Sequence, residues 1–140
     1  MEDLYINKEV GKLGISNCYD LNILEYLYKD SKIKPAIVQN RFYEHTNYDK
    51  EVRAWCKDKG IVYQSFWTLT ANPHLLSSDI INQLAKKYLK TNEQIFYRYL
   101  NQIGIVPLIG TTSKEHMLED LAIFEFELEY DEIEAISSLL

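Results

Sequence analysis

The chain has 140 residues, of which 46% are apolar and 26% charged, and its formal net charge is −6. This size and composition predict one globular domain over residues 1–140 and exclude a disordered or fibrous chain. Nucleic acids and anionic membranes are bound by clustered Lys and Arg, which an acidic chain of this kind lacks. We therefore expect no nucleic-acid partner and no membrane partner.

The cysteine content and the N-terminal residues bear on the cell compartment. The only cysteines are Cys18 and Cys56, and the chain begins Met1-Glu2-Asp3, without the basic and apolar stretches of a secretory signal. Both features disfavour secretion and a disulfide framework. No apolar run approaches the roughly 20 residues of a membrane-spanning helix. The expected location is the cytoplasm.

A short apolar run, a loop and a longer segment with helical periodicity follow one another four times. The apolar runs lie at 12–16, 36–39, 61–66 and 105–109. This alternation predicts repeated β-α units and a parallel sheet. A closed TIM barrel has eight such units in about 250 residues. The predicted fold class is therefore α/β, half of a TIM barrel with four parallel β-α units plus extra helices.

Two helices are predicted in the first half of the chain. Asp20 has the position and chemistry of an N-cap for a helix that would bury one apolar face, formed by Ile23, Leu24, Leu27 and Tyr28. A second helix, Lys50 to Lys59, is expected to end at Gly60 and to bury Val52, Trp55 and Cys56.

Four helices are predicted in the second half. The first follows Ser77 and Ser78, and the second opens with a capping box from Thr91 to Gln94 and ends at Gly104. A further capping box, Thr112 to Glu115, predicts a helix whose inward side chains are Met117, Leu118 and Leu121. The last helix is expected to begin at about Tyr130.

Several motifs occur in a characteristic order along these elements. They are Leu13-Gly14-Ile15-Ser16-Asn17, Gln39, the run Val62 to Trp67, the run Val106 to Thr112, Glu119-Asp120-Leu121 and Phe126-Glu127-Leu128. In order and spacing they resemble strands five to eight of the aldo-keto reductases and the helices that follow, from about Val10 to Leu140. The resemblance implies the C-terminal half of a (β/α)8 barrel from a family of NAD(P)H-dependent carbonyl reductases.

The same resemblance implies a nicotinamide site at the ends of the strands. Ser16, Asn17 and Gln39 match family positions that hold the nicotinamide carboxamide, and Phe66 matches an aromatic position that stacks on the ring. Taken alone, Ser-Asn after a strand is ordinary turn chemistry, and Phe66 with Trp67 is a pair of core aromatics. The co-occurring motifs favour the cofactor role.

Other matched positions face the pyrophosphate and the adenosine in the family. These further predicted cofactor contacts are Trp67, Thr68, Leu69, Gly110, Thr111, Thr112, Glu119 and Asp120. The free backbone N–H groups of a helix N-terminus favour a phosphate. Thr111 and Thr112 stand next to such an N-terminus, which is consistent with a role in binding the phosphates. On composition alone, Glu119 and Asp120 are equally typical of a solvent-facing helix surface.

The 2′-phosphate end of the predicted site departs from the family pattern. Gly110 and His116 stand where many members have Lys and Arg, both of which contact the 2′-phosphate of NADPH. Loss of two charge-assisted contacts predicts weaker binding or a weaker preference for NADPH over NADH. NADPH is the cofactor that the resemblance implies and NADH is the alternative, while Lys114 is a candidate to compensate.

No catalytic or metal-binding residue can be assigned. The Asp, Tyr, Lys and His tetrad of the family belongs to strands two to four, upstream of the motif at Leu13, and no two of His45, His74 and His116 have metal-ligand spacing. We therefore expect a truncated, NADP-dependent oxidoreductase-type chain that is inactive alone in carbonyl reduction, with its substrate unspecified. Two alternatives remain: a non-catalytic half-barrel interaction module that dimerises through its sheet edges, and a chain that pairs with an N-terminal half barrel.

Overall fold

The computed structural model describes all residues from Met1 to Leu140. The chain divides into two compact units, Met1–Phe66 and Trp67–Leu140. None of its helices combines the length and the apolar character needed to cross a membrane.

The unit Met1–Phe66 contains three helices and three strands. In chain order they are α1 (Glu2–Ile6), β1 (Gly14–Ser16), α2 (Leu21–Asp30), β2 (Ile37–Arg41), α3 (Lys50–Lys59) and β3 (Val62–Phe66). The strand β2 lies between β1 and β3, and both pairings are parallel. The parallel arrangement and the approximate positions of these strands confirm the β-α pattern of the sequence.

Both predicted helices of this unit form, but only one buries the predicted face. Asp20 caps α2, and its Oδ1 accepts a hydrogen bond from Asn22 N at 2.8 Å. Only Leu24 is buried on α2, whereas Ile23 is 51% exposed and Leu27 is 39% exposed, so the predicted burial of these two residues is wrong. Periodicity shows which side chains share a helix face, but it does not show whether another element covers that face.

The helix α3 agrees with its prediction. It buries Val52, Trp55 and Cys56, and it ends at Gly60, whose φ of 67° is the left-handed conformation that glycine adopts without a steric penalty. Burial raises the pKa of the Cys56 thiol to about 12, with a contribution from the charge of Asp49. Cys56 is therefore a poor nucleophile at neutral pH.

A buried polar network lies beneath the strand ends of the same unit. Asp49 Oδ2 accepts hydrogen bonds from Asn40 Nδ2 and from the Tyr63 hydroxyl, each at 2.8 Å. Asn40 also binds the backbone of Cys18 in both directions, at 2.9 Å to its N–H and 2.7 Å to its carbonyl oxygen. Because Cys18 directly follows Asn17, this network ties the loop after β1 to β2 and β3.

The unit Trp67–Leu140 contains five helices and one strand. In chain order they are α4 (Pro73–Leu76), α5 (Asp79–Tyr88), α6 (Asn92–Gln102), β4 (Ile105–Pro107), α7 (Lys114–Leu121) and α8 (Tyr130–Ser137). The capping box of α6 is confirmed, since Thr91 Oγ1 accepts from Gln94 N and Gln94 Oε1 accepts from Thr91 N. Seven consecutive residues of α6, from Gln94 to Leu100, are buried, which makes it the central helix of this unit.

Two predictions about the region after β4 are wrong. The N-cap of α7 is Ser113, whose Oγ accepts from His116 N at 3.3 Å, and not Thr112 as the capping-box pattern predicted. The predicted inward face of α7 is exposed, with Met117 at 46%, Leu118 at 58% and Leu121 at 68%. Two adjacent hydroxyl residues satisfy the capping pattern equally, so backbone geometry decides between them.

Candidate cofactor site

A row of polar side chains crosses the sheet of Met1–Phe66. Ser16 ends β1, but Gln39 and Gln64 lie at the middle of β2 and β3 and not at the strand ends as predicted. Ser16 is in register with Gln39, and Gln39 is in register with Gln64. Ser16 Oγ donates to Gln39 Oε1 at 3.4 Å, and Gln39 Nε2 donates to Gln64 Oε1 at 3.2 Å. Asn17 extends the row, because its Nδ2 donates to Ser16 Oγ at 3.1 Å. The structure thus brings together three of the predicted nicotinamide contacts.

The backbone explains why these side chains meet. Parallel pairing places the carboxyl ends of neighbouring strands at one edge, so residues in register stand side by side on one face. Asn17 leaves β1 with a left-handed φ of 58°, a conformation that Asn tolerates better than most residues, and its N–H donates to Gln39 O at 3.0 Å. The row presents amide and hydroxyl groups, the donors and acceptors that recognise a carboxamide.

Phe66 lies at the end of β3 on the face that carries this row. The side chains of β3 alternate, with Tyr63 and Ser65 buried and Gln64 and Phe66 half-buried. Residues two apart on a strand share a face, so Phe66 and Gln64 point to the same side of the sheet. An aromatic ring beside amide groups is the arrangement that the family resemblance implies for a nicotinamide.

The loop after β3 opens the unit Trp67–Leu140. Trp67 is 57% exposed with a left-handed φ of 55°, and Thr68 is buried with its carbonyl oxygen accepting from Asn72 Nδ2 at 2.8 Å. Leu69 is half-buried and lines a cavity of about 460 Å³. Of the three loop residues predicted to contact cofactor, Leu69 is the one placed on this cavity.

The segment Gly110 to Thr112 leads into α7. Gly110 and Thr112 are exposed, and Thr111 Oγ1 accepts from Ser113 N at 3.1 Å. The Thr111 hydroxyl therefore already stabilises the turn before the helix. None of these three predicted residues lines the cavity of about 460 Å³.

That cavity lies wholly within Trp67–Leu140, between the start of α6, the helix α7 and the loop that carries Leu69. It brings together three predicted cofactor contacts, Leu69, Glu119 and Asp120. Its other lining residues, none of them predicted as a contact, are Thr91, Glu93, Gln94, Tyr97 and His116. The residues on α6 are far in the chain from those on α7, so no local spacing could have revealed that the two groups share one cavity.

The cavity is electrostatically negative. Burial raises the pKa of Asp120, and the charge of Glu119 adds to this effect while that of His116 opposes it. Burial also raises the pKa of Tyr97 to about 12, with contributions from the charges of Asp120 and Glu93. The Tyr97 hydroxyl is therefore a neutral donor at physiological pH, close to carboxylates.

Sequence reasoning also missed Gln64. It stands in a matched motif, but only the register of β2 and β3 shows that it supports Gln39. Sequence alone gave little indication of a functional role for Gln64, since polar residues are common in strands with alternating polar and apolar side chains.

Ser16, Asn17 and Phe66 stand at the carboxyl ends of β1 and β3, the side of a parallel sheet on which barrel enzymes bind their ligands. The chain matches the model of the Aldo/keto reductase family over residues 2–140, and it belongs to that family. It is 31% identical over 139 residues to glyoxal reductase of Bacillus subtilis, covering 99% of this chain and 49% of that relative. It is 30% identical over 140 residues to aldose reductase B of Dictyostelium discoideum, covering 99% of this chain and 44% of that relative.

Solved structures show the same relationship. An aldo-keto reductase enzyme from a Medee basin deep-sea metagenome library superposes with a TM-score of 0.89 at 28% identity, over 99% of this chain and 51% of that one. An aldose reductase from Schistosoma japonicum, at 22% identity and a TM-score of 0.83, shares the fold. The chain spans about half the length of the relatives it matches. The predicted half-barrel fold is confirmed.

Proposed function

We propose that this chain binds a nicotinamide dinucleotide and is the cofactor-binding half of an aldo-keto reductase fold, without carbonyl reductase activity of its own. The observation that carries the proposal is the hydrogen-bonded row of Ser16, Asn17, Gln39 and Gln64 across one face of the sheet. The reduced nicotinamide, when bound, supplies hydride. The residues of this chain would bind and orient the carboxamide, which selects the ring face that is exposed to an acceptor.

The proposed lack of reductase activity is supported by the pKa shifts of the tyrosines that could donate a proton. Reduction of a carbonyl needs an acid beside its oxygen, and a tyrosine serves only when a neighbouring group brings its pKa towards neutral. In this chain burial raises the pKa of each tyrosine with a clear shift, namely Tyr48, Tyr63, Tyr88 and Tyr97. None of these four tyrosines has the lowered pKa that such an acid requires.

Titration with NADH and NADPH, followed by nicotinamide fluorescence, tests cofactor binding. We expect saturable binding of at least one of them, and about tenfold weaker binding in Gln39→Ala, since the variant loses hydrogen bonds worth roughly 1.4 kcal/mol. Gln83→Ala is the matched control, because Gln83 is exposed on α5. The absence of binding by the unmodified chain would contradict the proposal.

A second candidate is a half barrel that acts by binding another chain. In Met1–Phe66, Ile23, Tyr26 and Leu27 are exposed on α2, and in Trp67–Leu140 the apolar residues of α7 are exposed. Burial of these exposed apolar side chains against another chain would be favourable. That chain would be a second copy or an N-terminal half barrel. Light scattering with size-exclusion chromatography distinguishes these cases, and a stable monomer would count against self-association.

We also propose a cytoplasmic location. Cys18 and Cys56 are both free thiols, as expected in a reducing compartment. Fractionation of cells that express the untagged chain tests this, and recovery in a secreted fraction would contradict it.

A further inference from the structure

The strand β1 has a neighbouring strand on one side only. It stands first in the strand order of the sheet, and β2 is its partner. Leu13 O and Asn17 N make hydrogen bonds of 2.8 Å and 3.0 Å to backbone groups on the β2 side. Because the backbone groups of successive residues alternate between the two sides of a strand, the N–H and C=O groups of Gly14 and Ser16 face the open edge. Both residues are exposed.

The composition of β1 leaves this edge open to pairing. Natural sheets commonly protect an edge strand with Lys or Pro, because an unprotected edge pairs with a strand of another chain. The residues of β1 are Gly14, Ile15 and Ser16, so it contains neither of these protecting residues. Gly14 also has no side chain that could shield the edge. A further strand can therefore pair with β1 through its backbone.

An apolar patch on α2 lies on the same side as this edge. Ile23, Tyr26 and Leu27 are 51%, 66% and 39% exposed, and residues three or four apart share a helix face. Leu27 lines a cavity of about 540 Å³ together with Leu13 and Ile15, which places the patch beside β1. Burial of apolar surface is favourable, so a partner that pairs with β1 would gain stability by covering this patch.

The open edge of β1 is complementary to itself. Gly14 and Ser16, whose backbone groups face the edge, stand symmetrically about Ile15. If two copies pair in antiparallel orientation, Gly14 lies opposite the partner's Ser16, and each N–H donates to the C=O of the opposite residue. A two-fold axis at Ile15 thus satisfies the edge-facing groups of both copies, as in the isologous interfaces of most homodimers.

Charge also favours self-association at this surface. Each chain has a net charge of −6, so two copies repel each other where their charged faces meet. The residues of β1 and the three exposed apolar residues of α2 carry no charge. Two copies that meet at β1 and α2 therefore bring no like charges of these residues together.

We infer that a second copy of this chain binds at the β1 edge, with the two β1 strands antiparallel and the apolar patches of the two α2 helices packed on each other. This dimer rests on the second candidate function, self-association, and gives it a defined surface and symmetry. The surface is small compared with that of permanent dimers, so the dimer is reversible.

Sedimentation equilibrium of the full chain over a range of concentrations tests this dimer. We expect the average mass to rise with concentration towards twice the 16.5 kDa of one chain. Ser16→Pro removes an edge-facing N–H and places the proline ring at the pairing edge, so it should abolish the dimer. Ser16→Ala is the matched control, because it keeps the N–H and should dimerise like the unmodified chain.

A second pair of variants tests the patch on α2. Tyr26→Glu places like charges on the two packed helices and should weaken the dimer about tenfold or more. Tyr130→Glu makes the same change at a position of α8 that is 78% exposed, and it should leave the dimer unchanged.

The register is tested by a disulfide on the two-fold axis. Ile15 would face the partner's Ile15 in a non-hydrogen-bonded pair with Cα atoms about 4.5 Å apart, which is within the range of a disulfide. Ile15→Cys in a Cys18→Ser background should therefore form a covalent dimer on mild oxidation. Ala54→Cys, at an exposed position of α3, should stay mostly monomeric in the same background, and the remaining Cys56 is buried.

A mass of one chain at every concentration would overturn this dimer, as would equally rapid cross-linking of Ala54→Cys and Ile15→Cys. A dimer that persists in Ser16→Pro and in Tyr26→Glu would also overturn it, while leaving self-association through another surface intact. If Ser16→Pro does not fold, Tyr26→Glu and Ile15→Cys still decide the question. Nicotinamide binding is measured separately by titration, so the proposed cofactor function stands or fails independently of these results.

Discussion

The polar groups near the candidate sites of the two units differ in burial. In Met1–Phe66, Asn40, Asp49 and Tyr63 are buried and joined by hydrogen bonds. In Trp67–Leu140, carboxylates line an open cavity, while Glu132, elsewhere in that unit, is buried and accepts hydrogen bonds from Lys87 and Tyr88. A closed network fixes the position of neighbouring side chains.

The network has a consequence within Met1–Phe66. The row of Ser16, Gln39 and Gln64 needs a rigid backbone, which the buried network beside it supplies. The cavity around Tyr97 is lined instead by exposed and half-buried carboxylates. We therefore expect substitutions of the buried network to lower stability and to disturb the orientation of the row.

The largest effect on stability is expected at Phe96 in α6. Its side chain is fully buried and stacks on Tyr99 with ring centroids 6.1 Å apart. Phe96→Ala should lower the free energy of unfolding by about 3–5 kcal/mol, because it removes apolar contacts and leaves a cavity. Urea denaturation measures this loss.

The control for Phe96 is a second phenylalanine of the same unit. Phe124 is 63% exposed and lies under the guanidinium of Arg98 at 5.9 Å from its ring centroid. Phe124→Ala should cost less than about 1 kcal/mol. Similar losses in the two variants would show that α6 is not the centre of this unit's stability.

The next largest effect is expected from the network of the other unit. Asp49→Ala removes the acceptor shared by Asn40 and Tyr63, which leaves the buried Tyr63 hydroxyl without its acceptor and Asn40 Nδ2 with its bond to Cys18 O alone. The expected cost is about 3 kcal/mol. The control Asp58→Ala removes a carboxylate whose side chain is 71% exposed, and it should leave the unfolding midpoint unchanged. An equally small effect of Asp49→Ala would mean that the network is not structurally important.

A smaller, pH-dependent effect is expected at Glu132 in α8. Burial opposes its ionisation, but hydrogen bonds from Lys87 Nζ, the Tyr88 hydroxyl and Glu129 N together lower its pKa from the usual value of a glutamate. A carboxyl group with a lowered pKa in the folded state adds stability above its unfolded pKa and loses that contribution as pH falls through the folded pKa.

The free energy of unfolding should therefore fall as the pH is lowered through the acidic range in which this carboxylate gains its proton. Glu132→Gln cannot lose a charge in this range, so it should be less sensitive to acid than the unmodified chain. Equal acid sensitivity of the two proteins would refute the assignment.

The last prediction is that two probes of unfolding give the same urea midpoint. Trp55 lies in Met1–Phe66 and Trp67 in the other unit, so Trp67→Phe leaves a fluorophore that reports on the first unit alone. The prediction of one domain over residues 1–140 requires that its fluorescence and its far-ultraviolet circular dichroism give the same urea midpoint. Two distinct midpoints would show that the units unfold independently.

Local signals in the sequence were sufficient for much of the fold. Asp20 and Thr91 cap helices as predicted, and Gly60 ends α3, because each of these features depends only on neighbouring residues. The predicted cap at Thr112 failed where two hydroxyl residues compete for one role, and Ser113 took it. The predicted burial of the apolar faces of α2 and α7 was wrong for another reason. Helical spacing shows which side chains share a face, but it does not identify an element that would cover that face.

The candidate site shows the same division. The motifs were enough to nominate Ser16, Asn17 and Gln39, and the structure joins them in one row. No motif indicated that Tyr97 on α6 shares a cavity with Asp120 on α7, because those residues are distant in the chain. The sequence by itself determined the order of the β-α units, most of the helix caps and the match to the family. Each of these depends on neighbouring residues or on the order of motifs along the chain. Only the tertiary structure decided which strand ends are in register, which helix faces remain uncovered and which charges meet in one cavity, since these depend on contacts between distant residues.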